Sequence, residues 1–128
     1  MSLNRRRSPR VAKGLAVNIS NVNGEIFDAL TLNVSRNGFG LQCSTMDRNE
    51  LTPQGDFVDM GKPVEFDVSL QLPDVKAPLD HITAKCRVLY SRRLANSICE
   101  IGMRFMTIDG DGEERLVRFL KQVEAEMA

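Results

Sequence analysis

The residues best suited to binding chemistry are four arginines near the N-terminus. The segment Arg5-Arg6-Arg7-Ser8-Pro9-Arg10 places four guanidinium groups within six residues. Guanidinium groups keep their charge, form paired hydrogen bonds to phosphate or to the O6/N7 edge of guanine, and stack on purine faces. Pro9 restricts the backbone and lowers the entropy that is lost on docking. The segment is interpreted as an anion-binding arm, with a solvated basic tail as the alternative.

A second polar cluster, Asn33-Val34-Ser35-Arg36-Asn37-Gly38, lies where a predicted strand ends. Alternation along a strand puts Asn33 and Ser35 on one face, with Val34 anchored below them. An amide beside a hydroxyl supplies both donors and acceptors. Gly38 permits a positive φ or the close approach of a ligand. Taken alone, this pattern favours an ordinary polar strand end and turn.

The remaining reactive residue types form no catalytic or metal-binding pattern. Cys43, Cys86 and Cys99 lack the paired short spacing of a zinc site, and His81 is the only histidine. No nucleophile is paired with a base in the sequence. We therefore expect a non-catalytic protein with no metal and no cofactor. Three cysteines do not form a disulfide framework, so a reducing cytoplasm is the expected location.

The 128 residues contain 17 basic and 17 acidic side chains, but the charge is unevenly distributed. The first acid, Glu25, is preceded by five cations: Arg5, Arg6, Arg7, Arg10 and Lys13. A neutral chain with one basic end predicts a local anion site instead of a broad nucleic-acid surface. The length fits one domain. No apolar run approaches the ~20 residues that span a bilayer, so no membrane insertion is predicted, and the N-terminus does not resemble a secretory signal.

Apolar alternation predicts about six short strands with polar outer faces, which favours an antiparallel barrel or a tight sandwich. On the second strand, residues 25–35, Thr31 is predicted to point outward with Asn33 and Ser35. The predicted inner rows are Leu15, Val17 and Ile19; Leu30, Leu32 and Val34; Val64, Phe66, Val68, Leu70 and Leu72; Ile82, Ala84, Cys86, Val88 and Tyr90; and Cys99, Ile101, Met103 and Phe105.

The connections and the C-terminus have their own patterns. Asn21-Val22-Asn23-Gly24 is typical of a tight hairpin turn, since Asn-Gly supports a positive φ. The polar stretch 44–61 is interpreted as a loop with room for one short turn of helix. After Asp109 the period becomes helical, with Asp111 as the predicted N-cap of a helix that packs across the barrel. Its predicted apolar stripe is Leu116, Leu120, Val123 and Met127.

Taken together, the two polar motifs resemble the paired signature of PilZ domains, a family that binds the bacterial second messenger cyclic di-GMP. The residues concerned are Arg6-x-x-x-Arg10 and Asn33-x-Ser35-x-x-Gly38. The segment Glu100-Ile101-Gly102-Met103-Arg104-Phe105 is similar to the last barrel strand of that family, so the resemblance covers the chain from residue 5 to about residue 127. It implies a mainly β fold, a six-stranded antiparallel split barrel with a C-terminal helix. The family allows Asp or Asn where this chain has Asn33.

The resemblance also implies a ligand site. By similarity, the two motif arginines would hold guanine and phosphate, and the strand-end residues would hold the guanine edge and the ribose-phosphate. An additional basic residue just before the arm motif is associated in the family with a stacked ligand pair. Residues 1–12 are predicted to be a flexible arm, and residues 13–128 the barrel domain. The predicted ligand-binding residues are Arg5, Arg6, Arg10, Asn33, Ser35, Gly38 and Arg104.

The implied function is that of a cyclic di-GMP receptor or adaptor that signals to a separate effector protein, as a monomer or weak dimer. One alternative is a PilZ-type protein-interaction module that no longer binds the nucleotide. Another is a small nucleic-acid-binding barrel, which the neutral charge, the single tyrosine and the lack of tryptophan disfavour.

The remaining polar, aromatic and cysteine side chains are interpreted mainly by their predicted placement in the barrel. Arg104 is predicted to lie on the outer face, either as a phosphate contact or as a surface charge. Tyr90 shares the parity of Val88 and is predicted to lie in the core or at its rim. The alternative, implied by the family resemblance, is that Tyr90 stacks on a purine where the family often has an aromatic residue. His81 is predicted to be exposed at a strand start, and the cysteines to be small core hydrophobes.

Overall fold

The computed structural model describes residues 11–52, 58–59, 62–73 and 80–127. Most of the predicted arm, including Arg5, Arg6 and Arg10, lies outside these residues. The strands are β1 Ala16–Ser20, β2 Ile26–Val34, β3 Gly38–Ser44, β4 Val58–Asp59, β5 Lys62–Pro63, β6 Glu65–Gln71, β7 His81–Ala95 and β8 Ile98–Ile108. The helices are α1 Thr45–Leu51 and α2 Gly112–Met127.

Six of these strands close into an antiparallel barrel in the order β1-β2-β3-β8-β7-β6, and β1 pairs with β6 to complete it. Closure leaves no unpaired strand edge within the barrel. Strands β4 and β5 form a separate two-stranded pair. The predicted mainly β fold, with a six-stranded antiparallel barrel and a C-terminal helix, is confirmed.

Alternating apolar side chains fill the interior of the barrel. On β1, β6, β7 and β8 the predicted inner rows are largely confirmed, and β3 contributes Phe39 and Leu41. Val64 and Phe105 are partly buried and pack against this core. Each large apolar side chain that is removed from water contributes about 1.5–3 kcal/mol. The buried residues from the predicted rows of these strands include Val17, Ile19, Phe66, Val68, Leu70, Ile82, Ala84, Cys86, Val88, Ile101 and Met103.

The predicted faces of β2 are partly wrong. Leu30 is 60% exposed, whereas Thr31 is only 3% exposed. The pairing with β3 shifts register between Thr31 and Asn33, and such an irregularity breaks the strict alternation of a strand. The buried Thr31 hydroxyl donates to the Lys13 carbonyl at 2.5 Å and accepts from the Leu15 N–H at 2.9 Å. Burial of this polar side chain is therefore compensated by two hydrogen bonds to the segment that precedes β1.

The connection after β3 contains more structure than predicted. Helix α1 runs for seven residues, longer than one turn. Ser44 is its N-cap, and the Ser44 hydroxyl accepts from the Asp47 N–H at 3.0 Å. Ser is a preferred N-cap residue because its oxygen satisfies an otherwise unpaired N–H. The buried side chain of Leu51 ends the helix against the core.

The C-terminal helix packs on the barrel as predicted. Leu116, Leu120 and Val123 are buried, and Phe119 joins them although it was not predicted. Asp111 directly precedes the helix, and its carboxylate accepts a hydrogen bond from Arg115 Nε at 3.0 Å.

Arg115 ties the start of this helix to the start of β7. Its Nη1 donates to the carboxylate of Asp80 and to the carbonyl of His81. The hydrogen bond to Asp80 is the main cause that raises the pKa of Arg115. His81 itself is exposed at the first position of β7, as predicted.

We predict that Thr31→Val destabilises the fold by about 1–3 kcal/mol, because it leaves the buried Leu15 N–H and the Lys13 carbonyl without their partner. Thr107→Val is the matched control, since Thr107 is an exposed position on β8, and it should change stability by less than about 0.5 kcal/mol. Urea unfolding of both variants measures the difference. Equal free energies of unfolding would contradict the assigned role of Thr31.

Candidate ligand-binding site

The end of β2 is paired with Val11, the residue that immediately follows Arg10. The Val11 N–H donates to the Val34 carbonyl and the Val34 N–H donates to the Val11 carbonyl, both at 2.8 Å. Both side chains are buried. Val34 lies between Asn33 and Ser35. The pairing therefore fixes the backbone of Val11, the residue after Arg10, beside the second motif. Consecutive Cα atoms are about 3.8 Å apart, so the base of the arm is tethered at this point.

Ser35 does not share an outward face with Asn33, and that prediction is wrong. Strand β2 ends at Val34, and Ser35 is 3% exposed within the following turn. Its N–H donates to the Gly38 carbonyl at 2.8 Å, and its hydroxyl donates to the same carbonyl at 3.3 Å and accepts from the Asn37 N–H at 3.2 Å. A serine hydroxyl bonded to the local backbone in this way stabilises a turn. Ser35 therefore shapes the turn.

Gly38 is required by close packing between strands. Of the two alternatives given for Gly38, the positive φ is not found, since among the described glycines positive φ values occur at Gly24 and Gly110. A Cβ at Gly38 would lie 2.0 Å from the Met103 carbonyl oxygen. Any larger residue would separate the start of β3 from β8. Gly24 has the positive φ that was predicted for the hairpin turn between β1 and β2.

Arg104 lies beside this turn. It is paired with Gly38 in the ladder between β3 and β8, and it is exposed on the outer face as predicted. A shallow cavity of about 290 Å³ opens here, lined by Asn37, Gly38, Leu89, Met103 and Arg104. The structure thus brings the turn and Arg104 together, and Val34, which pairs with Val11, directly precedes this turn. It does not describe Arg5, Arg6 or Arg10.

A row of outward positions crosses four strands next to this cavity. Asn33 pairs with Gly40, Gly40 with Gly102, and Gly102 with Tyr90. A Cβ at Gly40 would lie 2.8 Å from Glu100 Oε2 and 3.2 Å from Asn33 Nδ2. A Cβ at Gly102 would lie 2.1 Å from Cε1 of the Tyr90 ring. The two glycines therefore leave the space that the neighbouring polar and aromatic side chains occupy.

Glu100 is a buried carboxylate at the centre of this face, with its side chain 4% exposed. It accepts hydrogen bonds from the Tyr90 hydroxyl at 2.7 Å and from Arg92 Nε at 2.8 Å, and Arg92 Nη2 lies 2.6 Å from the same oxygen, Oε1. The hydrogen bond to Glu100 and its charge raise the pKa of Arg92 above its usual value. A carboxylate persists in a buried position when it is paired in this way.

Sequence reasoning assigned no role to Glu100 and placed Tyr90 on the inner row. The register between β7 and β8 shifts between Val88 and Tyr90, which ends the inner row at Val88 and leaves Tyr90 half-buried on the outer side. One available signal was a glycine inside each of two neighbouring strands, Gly40 and Gly102, since such glycines often mark a close approach of other atoms.

A second cavity, of about 420 Å³, lies between the same turn and helix α2. Arg36 forms an ion pair with Glu113 across it, with Nε and Oε2 at 3.5 Å, and both side chains are more than half exposed. Exposed pairs of this kind contribute little to stability. The lining combines both signs of charge and does not select one ligand: Arg36, Glu113, Glu114, Val117, Arg118 and Lys121.

Reactive and metal-binding chemistry has little support in the described part of the chain. Its His, Cys, Asp and Glu residues form no group of three that could hold a metal ion. Burial raises the pKa of the Cys86 thiol to about 12, and burial together with the nearby Cys99 raises that of Cys43 to about 11. These thiols stay protonated at neutral pH and are poor nucleophiles. In the described ranges, no helix has the length and apolar character needed to cross a membrane.

The family model of the PilZ domain matches residues 4–122 of this chain. No curated protein sequence matches the chain. The match therefore covers both polar motifs, the barrel and most of the terminal helix.

Solved structures share the fold at low sequence identity. The inhibitor of motility MotI/DgrA from Bacillus subtilis has a TM-score of 0.76 at 15% identity, over 98% of this chain and 54% of that one. MrkH from K. pneumonia, solved as a c-di-GMP complex, has a TM-score of 0.70 at 19% identity, over 98% and 54% of the two chains. The PilZ domain of YcgR from Escherichia coli, solved with c-di-GMP, has a TM-score of 0.64 at 12% identity, over 96% and 94%. The chain thus spans about half the length of MotI/DgrA and MrkH.

We predict that Gly102→Ala forces the Tyr90 ring away from the barrel, because the added Cβ would overlap the ring. Such overpacking costs about 1–3 kcal/mol of stability. Tyr90 is the only tyrosine and the chain has no tryptophan, so intrinsic fluorescence reports on this ring alone. Gly14→Ala is the control, since its Cβ would meet only the Thr31 carbonyl at 3.7 Å. Wild-type emission and stability in Gly102→Ala would show that the ring does not pack on Gly102.

Proposed function

The chain belongs to the PilZ domain family, and we propose that it is a non-catalytic receptor for cyclic di-GMP. The observation that carries the proposal is the pair of 2.8 Å hydrogen bonds between Val11 and Val34. These bonds hold the base of the arginine arm against the strand-end motif. We therefore propose a common site for the two motifs of the family signature, although they are separated in sequence. Two solved structures with this fold, MrkH and the YcgR PilZ domain, contain c-di-GMP.

The chemistry of the ligand fits a charged arm opposite a polar barrel face. Cyclic di-GMP presents two phosphates and two guanines, and guanidinium groups bind both kinds of group. We propose that Arg6 and Arg10 contact guanine and phosphate, with Arg5 placed for a second ligand molecule. A charge-assisted contact of this type contributes about 1.5–3 kcal/mol. The phosphates require cations, and on the barrel side Arg104 supplies one beside Gly38.

We propose different roles for the three strand-end residues. Asn33 contributes its amide at the edge of the site, where its Oδ1 is held by the Gly40 N–H at 3.2 Å. Ser35 and Gly38 act through the backbone, because the Ser35 hydroxyl binds the Gly38 carbonyl and Gly38 packs on β8. The turn they form keeps Asn37 and Arg104 at the cavity.

Tyr90 provides an aromatic surface on the same face. Its ring lies over Gly102 and its hydroxyl is fixed by Glu100, so the ring is held against the barrel. Stacking of a base on such a ring contributes about 1–3 kcal/mol. We propose that a guanine of the ligand stacks here while the arm closes over the other side.

Signalling follows from ordering of the arm. Fixing one residue of a mobile chain costs about 1–2 kcal/mol, and the segment from Arg5 to Arg10 contains no large apolar side chain that would offset this cost. We propose that ligand contacts supply the stabilisation that orders it, and that the ordered arm creates a surface for an effector protein. Because the ligand is a bacterial second messenger, we place this function in the cytoplasm.

We predict that cyclic di-GMP binds far more tightly than GMP, and that Arg6→Ala and Arg10→Ala each weaken binding by about tenfold to a hundredfold. The reason is the loss of one charge-assisted contact in each variant. Arg93→Ala is the control, since Arg93 is an exposed arginine near the end of β7. Isothermal titration calorimetry at fixed salt measures all four proteins.

Two results would contradict the proposal. Absence of heat with wild-type protein at about 100 μM ligand, which corresponds to roughly −5.5 kcal/mol, would indicate a PilZ module that no longer binds the nucleotide. Wild-type affinity in both arm variants would show that the arginines are a solvated tail.

A further inference from the structure

Glu100 is buried and hydrogen-bonded to two side chains, although its position on β8 is on the outer face of the barrel. Its carboxylate is almost fully buried, and it accepts hydrogen bonds from Tyr90 and Arg92 at 2.7–2.8 Å. Burial of an ion pair carries a large desolvation penalty, and apolar replacement of such pairs is often neutral or stabilising. Stability of the barrel therefore does not explain why this carboxylate is present.

The position of Glu100 links it to the family motif. A Cβ on Gly40 would have Glu100 Oε2 at 2.8 Å and Asn33 Nδ2 at 3.2 Å, so both groups lie above the same glycine. On the other side, the hydroxyl of Tyr90 binds the same Oε2 atom. Glu100 thus lies between an amide of the strand-end motif and the aromatic ring on the barrel face.

Arg92 is held on the outer edge of this group. Its side chain is 66% exposed, and its carbon Cζ is 6.0 Å from the centroid of the Tyr90 ring. Nε and Nη2 both face the carboxylate of Glu100. The Nη1 group is therefore directed away from Glu100, and a guanidinium fixed along one edge loses less entropy when its other edge binds a ligand.

We infer that Arg92 is a further ligand-binding residue and that Glu100 is the positioning residue that orients Arg92 and Tyr90 for it. The group that Arg92 would recognise is a phosphate or the O6/N7 edge of a guanine, since both match a guanidinium fork. This inference rests on the proposed function. It adds an element of the site on β7 and β8 that is independent of the arginine arm.

The first test uses Glu100→Gln, which keeps the shape of the side chain and removes its charge. We expect about tenfold weaker binding of cyclic di-GMP, as for the loss of a charge-assisted contact. We also expect altered emission from Tyr90 before ligand is added and a smaller change of emission on titration. The control is Glu65→Gln, the same chemical change at an exposed outward position of β6. If Glu100 had only a structural role, Glu100→Gln would lower stability without changing Tyr90 emission. The emission therefore separates a positioning role from a structural one.

The second test uses Arg92→Gln and Arg92→Lys. These variants decide whether Arg92 binds the ligand even if Glu100→Gln does not fold. Both should bind cyclic di-GMP about tenfold more weakly, because lysine keeps the charge but lacks the fork. In Glu100→Gln/Arg92→Gln the two losses should not add, since one residue acts through the other.

Failure of the inference is distinct from failure of the proposed function. A wild-type protein that binds no cyclic di-GMP refutes both. If the wild type binds and Arg10→Ala binds more weakly, but Glu100→Gln and both Arg92 variants keep wild-type affinity, the receptor function stands and this inference is wrong.

Discussion

The backbone pairing between Val11 and Val34 is the constraint on which the rest of the site depends. Two hydrogen bonds of 2.8 Å join the segment before β1 to the last residue of β2. The buried Thr31 hydroxyl reinforces this junction, because it binds both Lys13 and Leu15. As a result, Val11, the residue that follows Arg10, is fixed beside the last residue before the strand-end turn.

The parts of the site differ in how far they are formed before ligand arrives. The turn is held by the Ser35 hydroxyl and by packing of Gly38 on β8, and the outer face is held by the hydrogen bonds of Glu100. A preformed surface avoids an ordering cost on binding. Under the proposed function, the ordering cost falls on the arm, which is the part proposed to respond to the ligand. In the proposed function, this division lets one small molecule control one segment while the barrel stays unchanged.

Much of the fold was predictable because apolar alternation and burial coincide in most strands. On β1, Val17 and Ile19 are inward as alternation requires, and on α2 the helical period correctly predicts Leu116 and Leu120. The errors occur where pairing irregularities break the alternation. Thr31 is buried beside one register shift, and Tyr90 lies on the outer side after another. Such irregularities depend on cross-strand partners, which a single sequence does not show.

The candidate site was predictable only in part, for a related reason. Asn33 and Gly38 stand out by residue type, and the family signature identifies them with the arm arginines. The burial of Glu100 is different, because it depends on Tyr90 and Arg92 from the neighbouring strand and on the absence of side chains at Gly40 and Gly102. Alternation alone places Glu100 outward and predicts an exposed charge.

Amide hydrogen exchange, with and without saturating cyclic di-GMP, tests most directly whether the ligand closes the arm onto the barrel. Closure of the arm on ligand binding predicts new protection over residues 4–10 and at the turn of residues 35–38, with little change in α2 around Leu116. Protection limited to the barrel, or none in a complex confirmed by calorimetry, would contradict closure of the arm. Strong protection of residues 4–10 in the free protein would also contradict it, because the arm would then be ordered before ligand binds.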